Sequence, residues 1–305
     1  MTLHPDWLPF VGVVSTALSA RPRPTLDELT AELYRWYLND AHDGSDDTDP
    51  PTCVEPMDLD ALAALRAAHA LTGTFESGWE VDSVLADHSI VARRESHQRV
   101  VDSIDAVVGR GTRRAFSRAG DVLSLTRRID WFDADTSCWY SQQGEWPPAK
   151  IEHISRIYLN VRRRSMPIVI AGLTAMIDAA QVDAVLKVNL GAVVPTRADA
   201  IVLYLGPNGS QLLTDRIVEH IVGLVQRCPR VIRDRTPRLT LALAPGVATA
   251  QGSVSGSSFG DDIVRAVAAR VIAHPQPDRL PEEMESALAG IGRTPHAPYL
   301  LGPLT

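Results

Sequence analysis

Apolar positions recur at two different periods along this chain, first at helical and later at strand spacing. Leu26, Leu29, Leu33, Trp36 and Tyr37 fall at helical spacing behind Thr25-Leu-Asp-Glu28, a capping-box pattern. A first helix ending near Asn39 is therefore expected. His42–Thr52 is acidic and Pro-containing without periodicity and reads as a solvated loop; no ordered ligand spacing supports a cation site there. Asp58–Leu71, rich in Ala and Leu, predicts a second helix, and Gly78–Trp146 reads as short strands and turns. Trp131, Trp139, Tyr140 and Trp146 cluster late in that stretch. Exposed, they would suit a peptide-binding surface; aromatics so placed more commonly fill a core. Pro147-Pro148 then punctuates the chain, placing a boundary at about residue 150 between regions 1–150 and 151–305.

Beyond that boundary strands are expected over Ile154–Val161, Ala184–Leu190, Ala200–Leu205 and Arg238–Ala244, with helices over Met166–Ala180, Leu212–Arg227 and Gly260–Ala273. This order predicts an α+β fold: a mostly antiparallel sheet with helices on one face. Residues two apart on a strand share a face. Ser155, Ile157, Leu159 and Val161 oppose Arg156, Tyr158 and Asn160; Leu186, Val188 and Leu190 oppose Val185, Lys187 and Asn189. Ile201, Leu203 and Leu205 oppose Tyr204, while Leu239, Leu241 and Leu243 oppose Arg238 and Thr240. The second set makes a polar platform rich in groups that bind a dianion, since arginines offer forked donors to phosphate. A lysine among arginines is pushed toward its neutral form by like charge, which suits proton abstraction beside a phosphate. A one-sided sheet whose front is merely wet gives the same pattern.

Composition narrows the chemistry. The 305 residues are 45% hydrophobic, enough for real cores, and the net charge of −7 leaves no general nucleic-acid footprint. The N-terminus lacks the pattern of an export signal and no long apolar span occurs, so a cytoplasmic, non-membrane protein is expected. Cys53, Cys138 and Cys228 are dispersed and form no metal-binding pair. Of the 30 basic residues only Lys150 and Lys187 are lysine, and Lys187 sits inside an apolar run. His69, His153 and His220 fall in unremarkable helical or strand contexts, which argues against a serine hydrolase. Pro245–Gly260 is Gly- and Ser-rich, with Ser258 as an expected N-cap; it carries no nucleotide fingerprint and reads as a loop or lid over the platform.

The succession RIYLNV (156–161), LKVNL (186–190), RADAIVLYL (197–205), PRLTLALAPGVATAQ (237–251) and SSFGD (257–261), preceded by LYRWYLND (33–40) and FESGWEV (75–81), resembles the Hop A-type effector-like lyases of bacterial ribosomal-peptide pathways such as those of lanthipeptides and thioamitides. Those proteins are similar in turn to phosphothreonine lyase effectors and to lyase domains of lanthipeptide synthetases. The resemblance implies β-elimination of phosphate from phosphoserine or phosphothreonine in a precursor peptide, leaving dehydroalanine or dehydrobutyrine. It implies a lyase-like region over 151–305, no metal or organic cofactor, and a separate kinase partner. Lys187 matches the lysine that takes the α-proton, and Arg197 and Arg238 match phosphate-clamping arginines. Arg156 stands where the effectors have a phosphate-binding lysine. Tyr158 stands where they have a general-acid histidine.

The resulting expectation is that Arg156, Arg197 and Arg238 hold phosphate, Lys187 removes the proton and Tyr158 assists departure. Asn189 or backbone donors would stabilise the enolate, and Asn160 and Tyr204 complete the candidate set. The rival class is a catalytically silent phosphopeptide-binding or scaffold component of a modifying complex, and a toxin-like effector is a third.

Overall fold

A computed structural model describes residues 2–20, 22–38, 59–69, 75–86, 88–95, 97–101, 106–108, 118–126, 128–144, 153–180, 182–191, 197–206, 210–228, 230–253 and 258–301. The expected features at Asn39, His42–Thr52, Cys53, Trp146, Pro147-Pro148 and Lys150 lie outside them. Seven helices are described: α1 (Trp7–Ser19), α2 (Leu26–Tyr37), α3 (Leu59–Ala68), α4 (Met166–Ala180), α5 (Ser210–Arg227), α6 (Phe259–Ala273) and α7 (Leu280–Gly290). The strands are β1 (Phe75–Val84), β2 (Ile90–Arg94), β3 (His97–Val101), β4 (Ala106–Val108), β5 (Val122–Thr126), β6 (Arg128–Asp133), β7 (Cys138–Gln143), β8 (His153–Leu159), β9 (Ala184–Asn189), β10 (Ile201–Leu205), β11 (Leu241–Ala244) and β12 (Val247–Ser253).

The class is α+β, with two sheets whose strand pairs are all antiparallel. A five-stranded sheet, β3-β2-β1-β5-β4, has a small core around Trp79, Ile90, Leu123 and Leu125. Arg94 and Arg99 pack over the Trp79 ring at 4.9 and 5.5 Å. The larger sheet runs β11-β12-β8-β10-β9-β7-β6. Because β6 and β7 belong to it, strand pairing continues across the expected boundary at residue 150.

Strand alternation sorts the larger sheet's side chains as expected, but helices cover both of its faces. On one, Ile157, Leu159, Leu186, Val188, Ile201 and Leu203 bury against α3, α4 and α5. On the other, Tyr158, Val202, Ala248 and Ala250 bury against α1, α2, α6 and α7, through Phe10, Leu33, Phe259, Ile263 and Met284. The small side chains of β12 let α6 approach the sheet. This second layer corrects the expectation of an open polar front: α1 and α7, at opposite ends of the chain, were not foreseen, and they share one buried cluster with residues of β12, β8 and β10.

Two local corrections follow. The expected fourth strand begins only at Leu241, because Leu239 takes a left-handed conformation (φ 61°) that breaks the alternation from Arg238. Within the expected loop Pro245–Gly260, Val247–Ser253 is strand β12, paired with β8 from Val247↔Leu159 to Ser253↔His153, while 254–257 lie outside the described residues. The turn into it uses Gly246 at φ 68°, packed so closely on the Arg233 carbonyl that a Cβ would collide. Two helix starts behave as expected. Thr25 Oγ1 accepts from the Glu28 N–H at 3.3 Å while Glu28 accepts from the Thr25 N–H at 2.8 Å, and Ser258 Oγ accepts from the Asp261 N–H at 3.0 Å.

Candidate functional site

Cross-strand register lines up one row of side chains on the sheet face that carries Lys187. Trp131 pairs with Tyr140, Tyr140 with Lys187, Lys187 with Val202, Val202 with Tyr158 and Tyr158 with Ala248. Directly opposed residues point to the same face, and strands lie about 4.8 Å apart. A neighbouring row brings Val185, Tyr204, Arg156 and Ala250 together. The row passes from cover to solvent. Tyr158 is buried under the helices, Lys187 and Tyr140 are half-buried, and Trp131 on edge strand β6 is 39% exposed. Lys187 therefore stands at the rim of the helical layer.

Its surroundings are phenols and acids. Lys187 Nζ lies 5.9 Å from the Tyr140 ring centroid. Among the described residues no carboxylate lies within ion-pair distance of it. Burial by itself pulls the Lys187 ammonium down, but Tyr204, Cys138, Tyr140 and Asp199 together outweigh it and hold the pKa above the ordinary lysine value. The expectation that flanking arginines depress it is thus overturned, because their charge is engaged elsewhere. The Arg156 guanidinium sits 5.5 Å over the Tyr204 ring, and Arg197 is forked onto Asp199.

The arginines expected to clamp phosphate occupy three different settings. Arg156 is 3% exposed, and its guanidinium fills the space that a side chain at residue 252 would need: a Cβ on Gly252 would lie 2.5 Å from Cζ. Arg197 donates through Nε and Nη2 to the two Asp199 carboxylate oxygens, each at 2.8 Å. Burial opposes its charge, but the Asp199 bonds and carboxylate more than compensate and raise its pKa. Arg238 is not on the sheet. It lies at the end of α2, 4.9 Å over the Trp36 ring and 3.7 Å from Asp6, with its N–H on the Tyr37 carbonyl.

Among the phenols, burial pushes Tyr204 up to about 12 despite the opposing pull of Lys187 and Arg156. Burial also raises Tyr158, with Arg156 and Tyr37 working against it, and raises Tyr37 further. Tyr158 is 5% exposed, whereas Tyr204 is only partly buried. Both candidate asparagines are hydrogen-bonded within the fold. Asn189 Nδ2 donates to the Asp199 carbonyl at 2.7 Å and its Oδ1 accepts from Cys138 Sγ at 2.9 Å. Asn160 Nδ2 donates to the Arg235 carbonyl at 2.9 Å.

The face therefore gathers Lys187, Tyr204, Arg156 and Tyr158 and borders Arg197, while Arg238 packs on Trp36 beside Asp6 and Asn160 bonds the Arg235 carbonyl. Sequence reasoning missed Asp199, Tyr140 as the neighbour of Lys187, and Tyr37 at the end of α2 as the neighbour of Tyr158. For Asp199 a signal existed, since an acid two residues after Arg197 can fold back onto it. A cavity of about 430 Å³ lies elsewhere, between α6 and the segment from Ile291 to Leu301. It is lined by Arg293, which burial lowers to about 10, with Asp262 opposing and Arg156 adding to that shift. Among the described residues no group of three or more His, Cys, Asp or Glu could hold a metal ion, and no helix is long and apolar enough to cross a membrane.

Comparison with known proteins gives a consistent answer. The model of the HopA1 effector protein family matches residues 137–300, more than half of the chain, from β7 through α7. An effector protein from Pseudomonas syringae pv. tomato strain DC3000 superimposes with a TM-score of 0.59 at 15% identity, covering 97% of both chains. One from Pseudomonas syringae pv. syringae strain 61 does so with a TM-score of 0.56 at 14% identity, covering 97% of this chain and 98% of that one. At such identities the likeness is one of fold. No curated protein matches the chain.

Proposed function

Because this chain belongs to the HopA1 effector protein family, we propose that it is a carbon–oxygen lyase that eliminates phosphate from phosphoserine or phosphothreonine in a peptide supplied by a separate kinase. The observation that supports this most is the placement of Lys187: a half-buried amine at the open rim of the face, flanked by Tyr140 and Tyr204 and without an ion-pair partner among the described residues.

In the proposed step the neutral Lys187 amine takes the α-proton, the released electron pair forms the Cα=Cβ bond, and the Cβ–O bond breaks. Phosphate leaves with the bonding pair, and dehydroalanine or dehydrobutyrine remains in the peptide. The fork onto Asp199 uses Nε and Nη2 of Arg197 and leaves Nη1 for a phosphate oxygen. Tyr204, the more accessible phenol, is the better donor to the leaving oxygen than Tyr158. A phenol near 12 is a weak acid, so its part is hydrogen bonding and not full proton transfer.

The raised pKa of Lys187 favours a second reading, in which the amine stays charged and the face binds a phosphopeptide without turning it over. Incubating the protein and its Lys187→Arg variant with peptides bearing a central phosphoserine or phosphothreonine separates the two. A lyase releases inorganic phosphate and leaves a product lighter by one phosphoric acid, and the variant does not. Tight binding of peptides that stay intact with both proteins establishes the binding reading instead.

A further inference from the structure

Trp131 and Tyr140 form a stacked cross-strand pair that steadies the sheet edge and still leaves the Trp131 ring partly exposed. Their rings are 5.1 Å apart and within 6° of parallel, on adjacent strands at the sheet edge. Other ring pairs, such as Phe10 with Trp36 and Tyr37 with Phe259, sit where α1, α2 and α6 meet. Trp139, one residue along from Tyr140 and on the opposite face, is fully buried and donates from its indole to Asp130. Trp131 shares none of that cover, being 39% exposed at the end of the row that leads through Tyr140 to Lys187.

The spacing of that row fits a peptide. Lys187 is one strand from Tyr140 and two from Trp131, roughly 5 and 10 Å at the usual strand separation. In an extended chain, side chains two residues apart point the same way at about 6.6 Å. A peptide lying across the strands with its reacting Cα at Lys187 would therefore set the side chain two positions away over the Tyr140–Trp131 pair. A flat apolar ring is the group that a stacked pair of rings receives best. Asp133 lies on the same face two residues beyond Trp131, its carboxylate pinned by the Thr136 hydroxyl at 2.8 Å, which sets a negative rim against acidic side chains.

We infer that the Trp131–Tyr140 pair is a specificity subsite that receives an aromatic side chain two residues from the phosphorylated serine or threonine of the substrate peptide. This rests on the lyase reading for turnover but not for binding. The test uses peptides with a central phosphoserine and Phe, Gly or Glu at the second position on either side, with two readouts. Phosphate release by the unaltered protein should favour Phe over Gly on one side on the order of tenfold in kcat/KM, with Glu poorest. Trp131→Ala should abolish that preference through KM, and Trp131→Phe should restore much of it. Affinity of the same peptides for the Lys187→Arg protein, read by fluorescence anisotropy, should show the same order without turnover. Equal affinity and turnover for Phe and Gly peptides, or a preference that survives Trp131→Ala, overturns the subsite. Absence of phosphate release from every peptide, with the Phe preference intact in binding, overturns the lyase reading and leaves the subsite standing.

Discussion

Lys187, which Tyr204, Cys138, Tyr140 and Asp199 hold above the ordinary lysine value despite its burial, is almost wholly protonated at neutral pH. As a base it would act through a small neutral fraction that grows tenfold with each pH unit. The expected kcat/KM for phosphate release therefore rises with unit slope from neutrality into the alkaline range, and a plateau below about pH 8 would take Lys187 out of that role. Asp199 sharpens the test, since its carboxylate both supports the Lys187 charge and occupies Arg197. Replacing Asp199 by Asn removes a negative charge that raises Lys187, so the alkaline limb should move to lower pH. A merely structural loss would lower the whole profile without moving it. Gly252 is the third residue whose effect is readable at this scale. A methyl there would lie 2.5 Å from the Arg156 Cζ, inside van der Waals contact, and the guanidinium would have to shift. Gly252→Ala is expected to cost about 1–3 kcal/mol in a denaturant titration, with phosphate release reduced as Arg156 moves from Tyr204.

At the scale of elements, α2 links local signals to the site. Its capping box is complete, and its last turn carries Trp36 under Arg238 and Tyr37 beside Tyr158. Thr25→Ala should cost about 1 kcal/mol, seen as a lower unfolding midpoint with an unchanged denaturant slope. That helix was legible before the structure because its signals are short-range. So were β8, β9 and β10, where Ile157, Leu159, Leu186, Val188, Ile201 and Leu203 alternate with other residues at period two. β12 was not legible, because Ala248, Ala250 and Gly252 carry no strand signature. Their small size is what the second helical layer and the Arg156 guanidinium require, and that need appears only once β12 lies between β8 and β11. The site was half legible for the same reason. Period two placed Lys187, Tyr204, Arg156 and Tyr158 on one face, but whether a polar face is wet depends on helices distant in sequence. Here they came from both ends of the chain, making Tyr158 a buried group and Lys187 the group at the rim.

For the whole molecule, that shared cover means the region carrying the candidate site does not stand apart from the rest. Residues 151–305 hold β8 to β12 and four of the seven helices, yet the larger sheet continues through β9 into β7 and β6, and its second face is closed by α1 and α2. Trp7, Phe10, Val14, Leu29, Leu33 and Tyr37 are each 2% exposed or less. Each buried side chain of this size is worth about 1.5–3 kcal/mol, so losing six of them removes roughly 9–18 kcal/mol, as large as the net stability of about 5–15 kcal/mol that ordinary proteins have. Removing β6 and β7 would also bare the ladder edge of β9, inviting association through unpaired strand groups. A fragment of residues 151–305 is therefore expected to lack a cooperative thermal transition and to aggregate, whereas the full chain melts as a folded protein. A fragment that is monomeric, cooperatively folded and still able to release phosphate would show that the second helical layer is an accessory cover and would return the site to the open platform that strand alternation alone suggests.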